Sequence, residues 1–491
     1  MKDVFTSGDI KAMDAHEIAL HNNELELIRR AGSLVAQAIC SHASRRRAVF
    51  FCGSGNNGAD GVAAAATLAE LGWETRVYAV RLGQGEAISR LYTQYRMKSG
   101  REVLPLPSND GIPPYDVVVD ALLGTGARFG LEGDYLRAAR IINRLGESGR
   151  VVAVDLPTGV SADTGRAHEN AVRADLTVCL SGFKPGVILY PGAEYAGEVL
   201  AYQVIPSPLL PSRRRYLFTR SDVHSLKRSR NTHKGDYGRL AILGGSMEMP
   251  GAALLSADAA LRSGAGTVTL LSDPETARVY AHRVREAMVR PVAAPQDMPA
   301  LLQGKTALVM GPGLGDGPRV YELVAEGLSA GMPTLIDADG LNALARGGPE
   351  ILLSASGPLV LTPHPKELSR LLDTELRTVV EDPLAAVEEA ANRFRCTVLL
   401  KGAVTLIAGA ESTLFSNRGC AGMAKGGSGD VLSGVIGGFL AHGAEPQYAA
   451  AAGAYLAGVA GEAAMARYGS TAMTPYHTVE CLHKAYLPYE S

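Results

Sequence analysis

AVFFCGSGNNGADGVAAAATLAELG, residues 48–72, reads as an apolar run, a glycine turn and an Ala- and Leu-rich helix. Gly53, Gly55 and Gly58 have the spacing G-x-G-x-x-G, which after a strand and before a helix suggests a dinucleotide turn. Glycines alone say little, because strand-to-helix turns need them for backbone reasons. The turn also holds Asn56, Asn57 and Asp60, and it lacks the lysine of a P-loop. A carboxylate beside a phosphate is repulsive unless something positive intervenes.

The same alternation extends on both sides. RRAVFFCG, ETRVYAV, YDVVVDALLG, RVVAVDLP and DLTVCLSG read as strands, with helical segments such as YLRAARIINRLGESG between them. This pattern predicts a parallel sheet covered by helices. VVVDALL is apolar without alternation, as in a strand buried on both faces. IPSPLLPSRRR, residues 205–215, interrupts the pattern with three Pro and three Arg and marks a domain boundary. Beyond it, RLAILGGS, GTVTLLSD, TALVMGPG, MPTLIDAD, PLVLTPHP, CTVLLKG and VTLIAG again read as strands, and a Gly- and Ala-rich helical region closes the chain. The expectation is an α/β protein of two tandem domains, residues 1–210 and 220–491, joined by a linker at 211–219.

Bulk properties exclude several classes. The formal net charge of the 491 residues is −2, so no global field draws the chain to nucleic acid or membrane. Arg45–Arg47 and Arg213–Arg215 read as solvated faces. Six scattered Cys form no C-x-x-C pair, which argues against a disulfide framework or zinc site and for a reducing, cytoplasmic setting. MKDVFTSGD has no signal-peptide apolar region, and apolar stretches such as SGVIGGFLAHG are too short and Gly-broken to span a bilayer.

Ligands of open α/β sheets bind beyond the carboxyl ends of the strands. Asp120 ends VVVD, followed by a second glycine turn at Gly124–Gly130, and Asp155 ends VAVD, with Thr158 close behind. A lone Asp there is commonly a cap or turn former; three acids on one edge suggest a site. A bound cation would reconcile Asp60 with a phosphate. Asn57 and Thr158 offer neutral oxygens and Asp120 a charged one, a set that suits a large monovalent cation better than Mg²⁺.

GSGNNGADG, VVVDALLGTG and AVDLPTGV in this order resemble the NAD(P)H-hydrate epimerase domain, over roughly residues 5–210. The resemblance implies a Rossmann-like doubly wound sheet that binds K⁺, with Asn57, Asp120 and Thr158 as ligands. It implies a substrate site from Asn56, Asn57, Gly58, Ala59 and Asp60 and from Gly124, Thr125, Gly126, Ala127, Arg128, Phe129 and Gly130. Asp155 would bind the substrate and act as acid/base, while Asp60 would hold the loop. The family usually has glycine at position 59; if φ > 0 is required there, alanine costs about 1 kcal/mol.

In the second half, KGGSGDVLSG, residues 425–434, places glycines and Asp430 at a helix start. Backbone donors there make an anion site, and an Asp inside it can deprotonate an acceptor hydroxyl for phosphoryl transfer; an N-cap is the competing reading. His364 is clamped between prolines and Lys401 ends a strand, where an ammonium can meet phosphate. HKGDYG, GPGLG, TPHPKE, KGAVT and GGSGD resemble the ADP-dependent NAD(P)H-hydrate dehydratase, over roughly residues 220–488. The resemblance implies a ribokinase-like fold, with Ala253, Gly313, His364 and Asp430 at the hydrate and Lys401, Gly402, Ala403, Val404, Thr405 and Gly429 at the nucleotide. Asp430 would be the base, with Mg²⁺ and ADP or ATP as cofactors.

Together the halves are similar to the bifunctional NAD(P)H-hydrate repair family. That implies NADHX and NADPHX as substrates, epimerisation of R and S hydrates, and dehydration of the S form with release of AMP or ADP and phosphate. It implies a homo-oligomer, because both folds expose helices that commonly pair, and no nucleic-acid or membrane partner. Two rivals stay open: a small-molecule kinase in the second half, and a binding module without turnover in the first.

Overall fold

The computed structural model describes residues 1–490 except 22–23, 44–45, 84–85, 108–110, 128 and 206–207. The chain forms two compact units, Lys2–Arg214 and Arg215–Ser491. The segment expected as linker contains the strand Arg214–Leu217.

In the first unit β1 (Arg47–Cys52), β2 (Glu74–Ala79), β3 (Leu104–Pro105), β4 (Val117–Ala121), β5 (Arg150–Val154), β6 (Leu176–Leu180) and β7 (Glu198–Tyr202) form one parallel sheet in the order β3-β2-β1-β4-β5-β6-β7. The sequence missed only the short β3 and the edge strand β7. Alternation along β1 sends Ala48, Phe50 and Cys52 to one face and Val49 and Phe51 to the other. The first face packs under α2 (Glu24–His42), α3 (Asn56–Glu70) and α4 (Glu86–Ser99); the second packs under α5 (Gly133–Leu145). The sheet is therefore doubly wound. The chain reverses its direction of travel between β1 and β4, which opens a crevice at their carboxyl ends.

The second unit adds β8 (Arg214–Leu217), β9 (Arg239–Leu243), β10 (Thr267–Ser272), β11 (Met288–Pro291), β12 (Ala307–Met310), β13 (Thr334–Ile336), β14 (Leu359–Leu361), β15 (Thr397–Leu400), β16 (Thr405–Ala408) and β17 (Ser412–Ser416). Their order is β8-β17-β16-β15-β14-β13-β12-β9-β10-β11. It is parallel from β11 to β15 and antiparallel through the β15–β16–β17 meander. Here too the winding reverses, between β9 and β12. The Ala-rich helices Pro250–Arg262, Ser428–Ala441 and Pro446–Ala472 bury one face of this sheet.

Two expectations need correction. Arg215 is not solvated: its guanidinium donates to both oxygens of Glu388 at 2.9 Å, while Arg45 of the other basic run lies outside the described residues. The closing region includes the helical stretch Pro446–Ala472, broken near its end by a kink at Gly469 yet long and apolar enough to cross a membrane; 72% of its most apolar stretch is instead buried within the fold.

Candidate active sites

The first site is a cleft of about 800 Å³ at the β1/β4 reversal. Its glycines are needed for close packing. A Cβ on Gly53 would stand 1.9 Å from the Leu122 carbonyl oxygen, and one on Gly58 would stand 2.0 Å from that of Gly53. The turn is shorter than the sequence suggests, because α3 begins at Asn56, so Asn56–Asp60 are its first residues. Ala59 sits there buried, without positive φ, and the strain considered for alanine does not arise.

Asn56, Asn57, Asp60, Gly124, Thr125, Gly126, Ala127 and Asp155 line the cleft. Gly58 and Ala59 lie behind it as packing residues. Phe129 is exposed, with the Arg166 guanidinium 4.8 Å from its ring centre, and Gly130 has φ 132°; Arg128 lies outside the described residues.

Asp155 ends β5 in the left-handed region, at φ 69°. Its Oδ1 accepts from the ammonium of Lys184 and, at 3.2 Å, from Leu180 N; Oδ2 accepts from Thr125 N at 3.4 Å. Lys184 is wholly buried and also donates to the Leu180 carbonyl. Sequence reading missed this lysine, whose only signal is its place just after β6. It also missed Asp14, which reaches the cleft from α1 (Ser7–His21). Burial, then the Asp155 carboxylate, push Asp14 up to about 6 against the pull of Lys184. Burial, then Asp155 and Asp14, raise Asp60 well above the carboxylate range. No hydrogen bond among the described residues makes Asp60 a tether of the loop, as the sequence suggested.

Asp120 is fully buried beneath the cleft. Its Oδ1 accepts from Thr158 Oγ1 at 2.7 Å and Leu122 N at 3.2 Å, and its Oδ2 from Thr158 N at 2.7 Å. Burial pushes it up to about 6, against those hydrogen bonds. Thr158 Oγ1 in turn accepts from Leu123 N at 3.1 Å. Next along the chain, Gly124 lies against Asn57, where a Cβ would come within 3.2 Å of Oδ1; Asn57 Nδ2 is buried without a partner among the described residues.

The second site is assembled at the carboxyl ends of β12–β15. Lys401, just past β15, donates to Asp337 Oδ1 at 2.6 Å and stands 3.8 Å from Glu367 Oε2. Ser433 donates to the other Asp337 oxygen at 2.7 Å. Gly429 lies beside this pair: a Cβ there would be 3.5 Å from Lys401 Nζ and 3.6 Å from Asp337 Oδ2. Asp430 follows in the first turn of Ser428–Ala441, and burial, then Asp337, push it up to about 6. Asp337 and Glu367 were missed in sequence, although Asp337 ends its strand just as Asp120 and Asp155 do.

His364 is positioned as an N-cap. Its Nδ1 accepts from Lys366 N at 3.1 Å and Glu367 N at 3.2 Å, while Glu367 Oε2 accepts from His364 N at 2.8 Å. Protonating Nδ1 would break the cap, and burial and then Lys401 lower the histidine's pKa. The neutral ring keeps Nε2–H as a donor. Gly313, at φ 65°, packs against Met249 and Ala252. Ala253 is fully buried and brings no exposed side chain to the site. Lys401–Val404 form the tight link into β16; Gly402 and Ala403 are exposed, Val404 is buried, and Thr405 begins the strand.

Residues 240–484 match the family described as NAD(P)H-hydrate dehydratase, and residues 24–186 that described as YjeF-related protein N-terminus. The chain is 36% identical to the bifunctional NAD(P)H-hydrate repair enzyme of Moorella thermoacetica over 479 residues, 91% of this chain and 89% of that one. It is 32% identical to that of Escherichia coli over 484 residues, 96% and 90% of the two chains. A crystal structure of the ADP/ATP-dependent NAD(P)H-hydrate dehydratase from Bacillus subtilis, co-crystallised with ATP and Mg²⁺, is similar with TM-score 0.51 and 28% identity, over 56% of this chain and 98% of that one. The second sheet is thus ribokinase-like. The chain belongs to the family of bifunctional NAD(P)H-hydrate repair enzymes, an epimerase unit followed by a nucleotide-dependent dehydratase unit.

Proposed function

We propose that the first cleft interconverts R- and S-hydrates of NADH and NADPH around Asp155, and that the second site phosphorylates the S-hydrate with ADP or ATP around Asp430. The observation that carries this reading is the cleft itself, which gathers Asp155, Asp60, Asn57 and the Gly124–Ala127 turn. The hydrate has a hydroxyl on a ring carbon next to nitrogen, so inversion needs proton transfer at that hydroxyl. Lys184 and Leu180 N hold the Asp155 carboxylate in place to take that proton.

K⁺ suits the buried set below. Asp120 is a fully buried carboxylate without a lysine or arginine partner among the described residues, and neutral oxygens of Thr158 and Asn57 flank the same Leu123–Gly124 backbone. Asn57, Asp120 and Thr158 would hold the ion, which when bound neutralises Asp120 and offsets the acids beside a phosphate-bearing substrate.

In the second unit, the backbone donors at Gly429 and the ammonium of Lys401 suit nucleotide phosphate, with Gly402–Thr405 alongside. Mg²⁺ with the nucleotide supplies charge neutralisation at the phosphate oxygens. Asp430 takes the hydroxyl proton as the nucleotide's P–O bond breaks and the new one forms, leaving AMP from ADP or ADP from ATP. The C–O bond then breaks, its electron pair leaving with the phosphate, and the neighbouring ring carbon loses a proton so that the C=C bond of the reduced ring is restored. Phosphorylation turns a poor leaving group into a good one, so a dehydratase can use a kinase fold. His364 Nε2–H and the Gly313 turn would orient the hydrate.

The test uses the full chain with mixed R- and S-NADH hydrates, K⁺, Mg²⁺ and ADP or ATP, following the return of reduced-nicotinamide absorbance. Complete recovery of both epimers, faster than spontaneous interconversion and dependent on nucleotide, is expected. Recovery of the S fraction alone would make the first unit a binding module.

A further inference from the structure

A carbinol carbon next to nitrogen can invert by ring opening. The hydroxyl loses its proton, C=O forms, the C–N bond breaks, and its electron pair on nitrogen takes up a proton. Rotation and reclosure reverse these steps on either face of the carbonyl. Opening thus needs a base at oxygen and an acid at nitrogen.

Asp155 is arranged as a base. Its carboxylate accepts from an ammonium and two backbone N–H groups, which fix it in the cleft. Asp14 is arranged differently. It is half-buried, lines the same cleft from α1, and among the described residues carries no hydrogen bond or ion pair. The charged groups felt at Asp14 are Asp155 and Lys184, with Asp60 of α3 also near; Lys11 of its own helix and Glu24 of α2 also line the cleft. Burial, then the Asp155 carboxylate, push Asp14 up to about 6 against the pull of Lys184, a level exchangeable near neutrality, and Asp60 is raised well above the carboxylate range by burial and then by Asp155.

We infer that Asp14 is a second catalytic residue of the epimerase unit: the acid that protonates the ring nitrogen while Asp155 takes the hydroxyl proton, the two exchanging roles on reclosure. Asn57 Nδ2, buried at the same cleft without a partner among the described residues, is left as a donor for the bound substrate. The inference rests on the assignment of the cleft as the epimerase site.

The experiment follows conversion of purified R-NADH hydrate into the S form by chromatography, in K⁺, with nucleotide withheld so that dehydration cannot proceed, and with the spontaneous rate subtracted. Asp14→Asn is expected to lower the rate at least about 100-fold, with S-hydrate dehydration on adding nucleotide within twofold of the parent; Asp14→Glu is expected to recover part of the loss. In the unaltered chain, the rate is expected to fall about tenfold per pH unit on the alkaline side as the acid form is lost. Asp14→Asn within threefold of the parent, with Asp155→Asn inactive, overturns the role of Asp14 and leaves the epimerase assignment standing. Both variants within threefold of the parent overturn the assignment itself. A rate in the unaltered chain that stays flat from pH 5 to 8 overturns the role of Asp14 whether or not any variant folds.

Discussion

Lys184→Met tests how Asp155 is held. The ammonium is wholly buried and is shared between the Asp155 carboxylate and the Leu180 carbonyl, and Asp155 itself is 7% exposed. Methionine nearly fills the volume but leaves the carboxylate, among the described residues, with the Leu180 and Thr125 amides alone, at 3.2 and 3.4 Å. Removing one partner of a buried ion pair costs about 3–5 kcal/mol, mostly because the other charge is stranded. For a unit of this size that corresponds to a loss of about 10 °C or more in Tm. Lys184→Met combined with Asp155→Asn strands no charge, so the pair should recover about 2 kcal/mol of the loss despite carrying two changes.

A two-unit chain need not unfold in one step, so the readout should be local. Hydrogen exchange of the peptide spanning 176–184, in the full chain, reports opening of β6 and the Lys184 turn. Lys184→Met should lower protection there by about 10²- to 10³-fold, and the double variant by clearly less. A single variant that changes protection less than about fivefold, or a double variant no better protected than the single, would refute the reading of the pair as a mutually dependent buried ion pair.

Three further outcomes are expected. As the proposed base, Asp430 can act only when ionised and is pushed up to about 6, so S-hydrate dehydration should fall about tenfold per pH unit below that value; because the folded state holds this proton more tightly, the site's own contribution to stability rises as pH falls from 6 toward 3.8. Gly53→Ala must move the Leu122 carbonyl and should cost about 1–3 kcal/mol with loss of epimerisation, whereas Gly55→Ala, with nothing within 4 Å of a new Cβ, should cost about 0.5 kcal/mol; thermal unfolding of the two variants separates them. Replacing K⁺ with a bulky organic cation should slow R-to-S conversion, and Asp120→Asn should abolish the K⁺ dependence, measured by the same chromatographic assay.

How much of this was readable depended on distance along the chain. The turn at Gly53–Gly61 sits between a strand and a helix that are themselves periodic, so its fold could be read from local sequence. Where the helix begins was not visible: Asn56–Asp60 look like loop residues, yet they form helix because Gly53 and Gly58 let the chain close tightly on β4. Asp155 was legible as an acid at a strand end. Lys184 was not, since its partner lies 29 positions away and only the β5–β6 pairing brings them together. Asp14 comes from a helix that precedes the sheet, so no strand-end rule points to it. Glu198–Tyr202, at the edge of the first sheet, and Ser412–Ser416, inside the second, are short and lack the long apolar runs of central strands, and they were missed for that reason.

The two units answer in the same way the question raised by an acid inside a glycine-rich anion site. In each, an acid follows a strand and a lysine from beyond another strand of the same sheet binds it: Lys184, past the adjacent strand, on Asp155, and Lys401, past the next strand but one, on Asp337. In each, a second acid nearby is left without such a partner and is driven toward its protonated form, Asp14 in the first unit and Asp430 in the second. Each edge thus carries one acid held by a lysine and one that is not, so proton transfer to and from a hydroxyl has two carboxyls in different settings to draw on. The difference between the sites follows from what each acid faces. In the first unit, Asp14 shares a cleft with the paired acid itself, which suits reversible exchange of protons between two carboxyls. In the second, Asp430 stands next to Gly429 and within the field of Lys401, so under the function proposed above the proton it takes would leave an alkoxide-like oxygen beside phosphate.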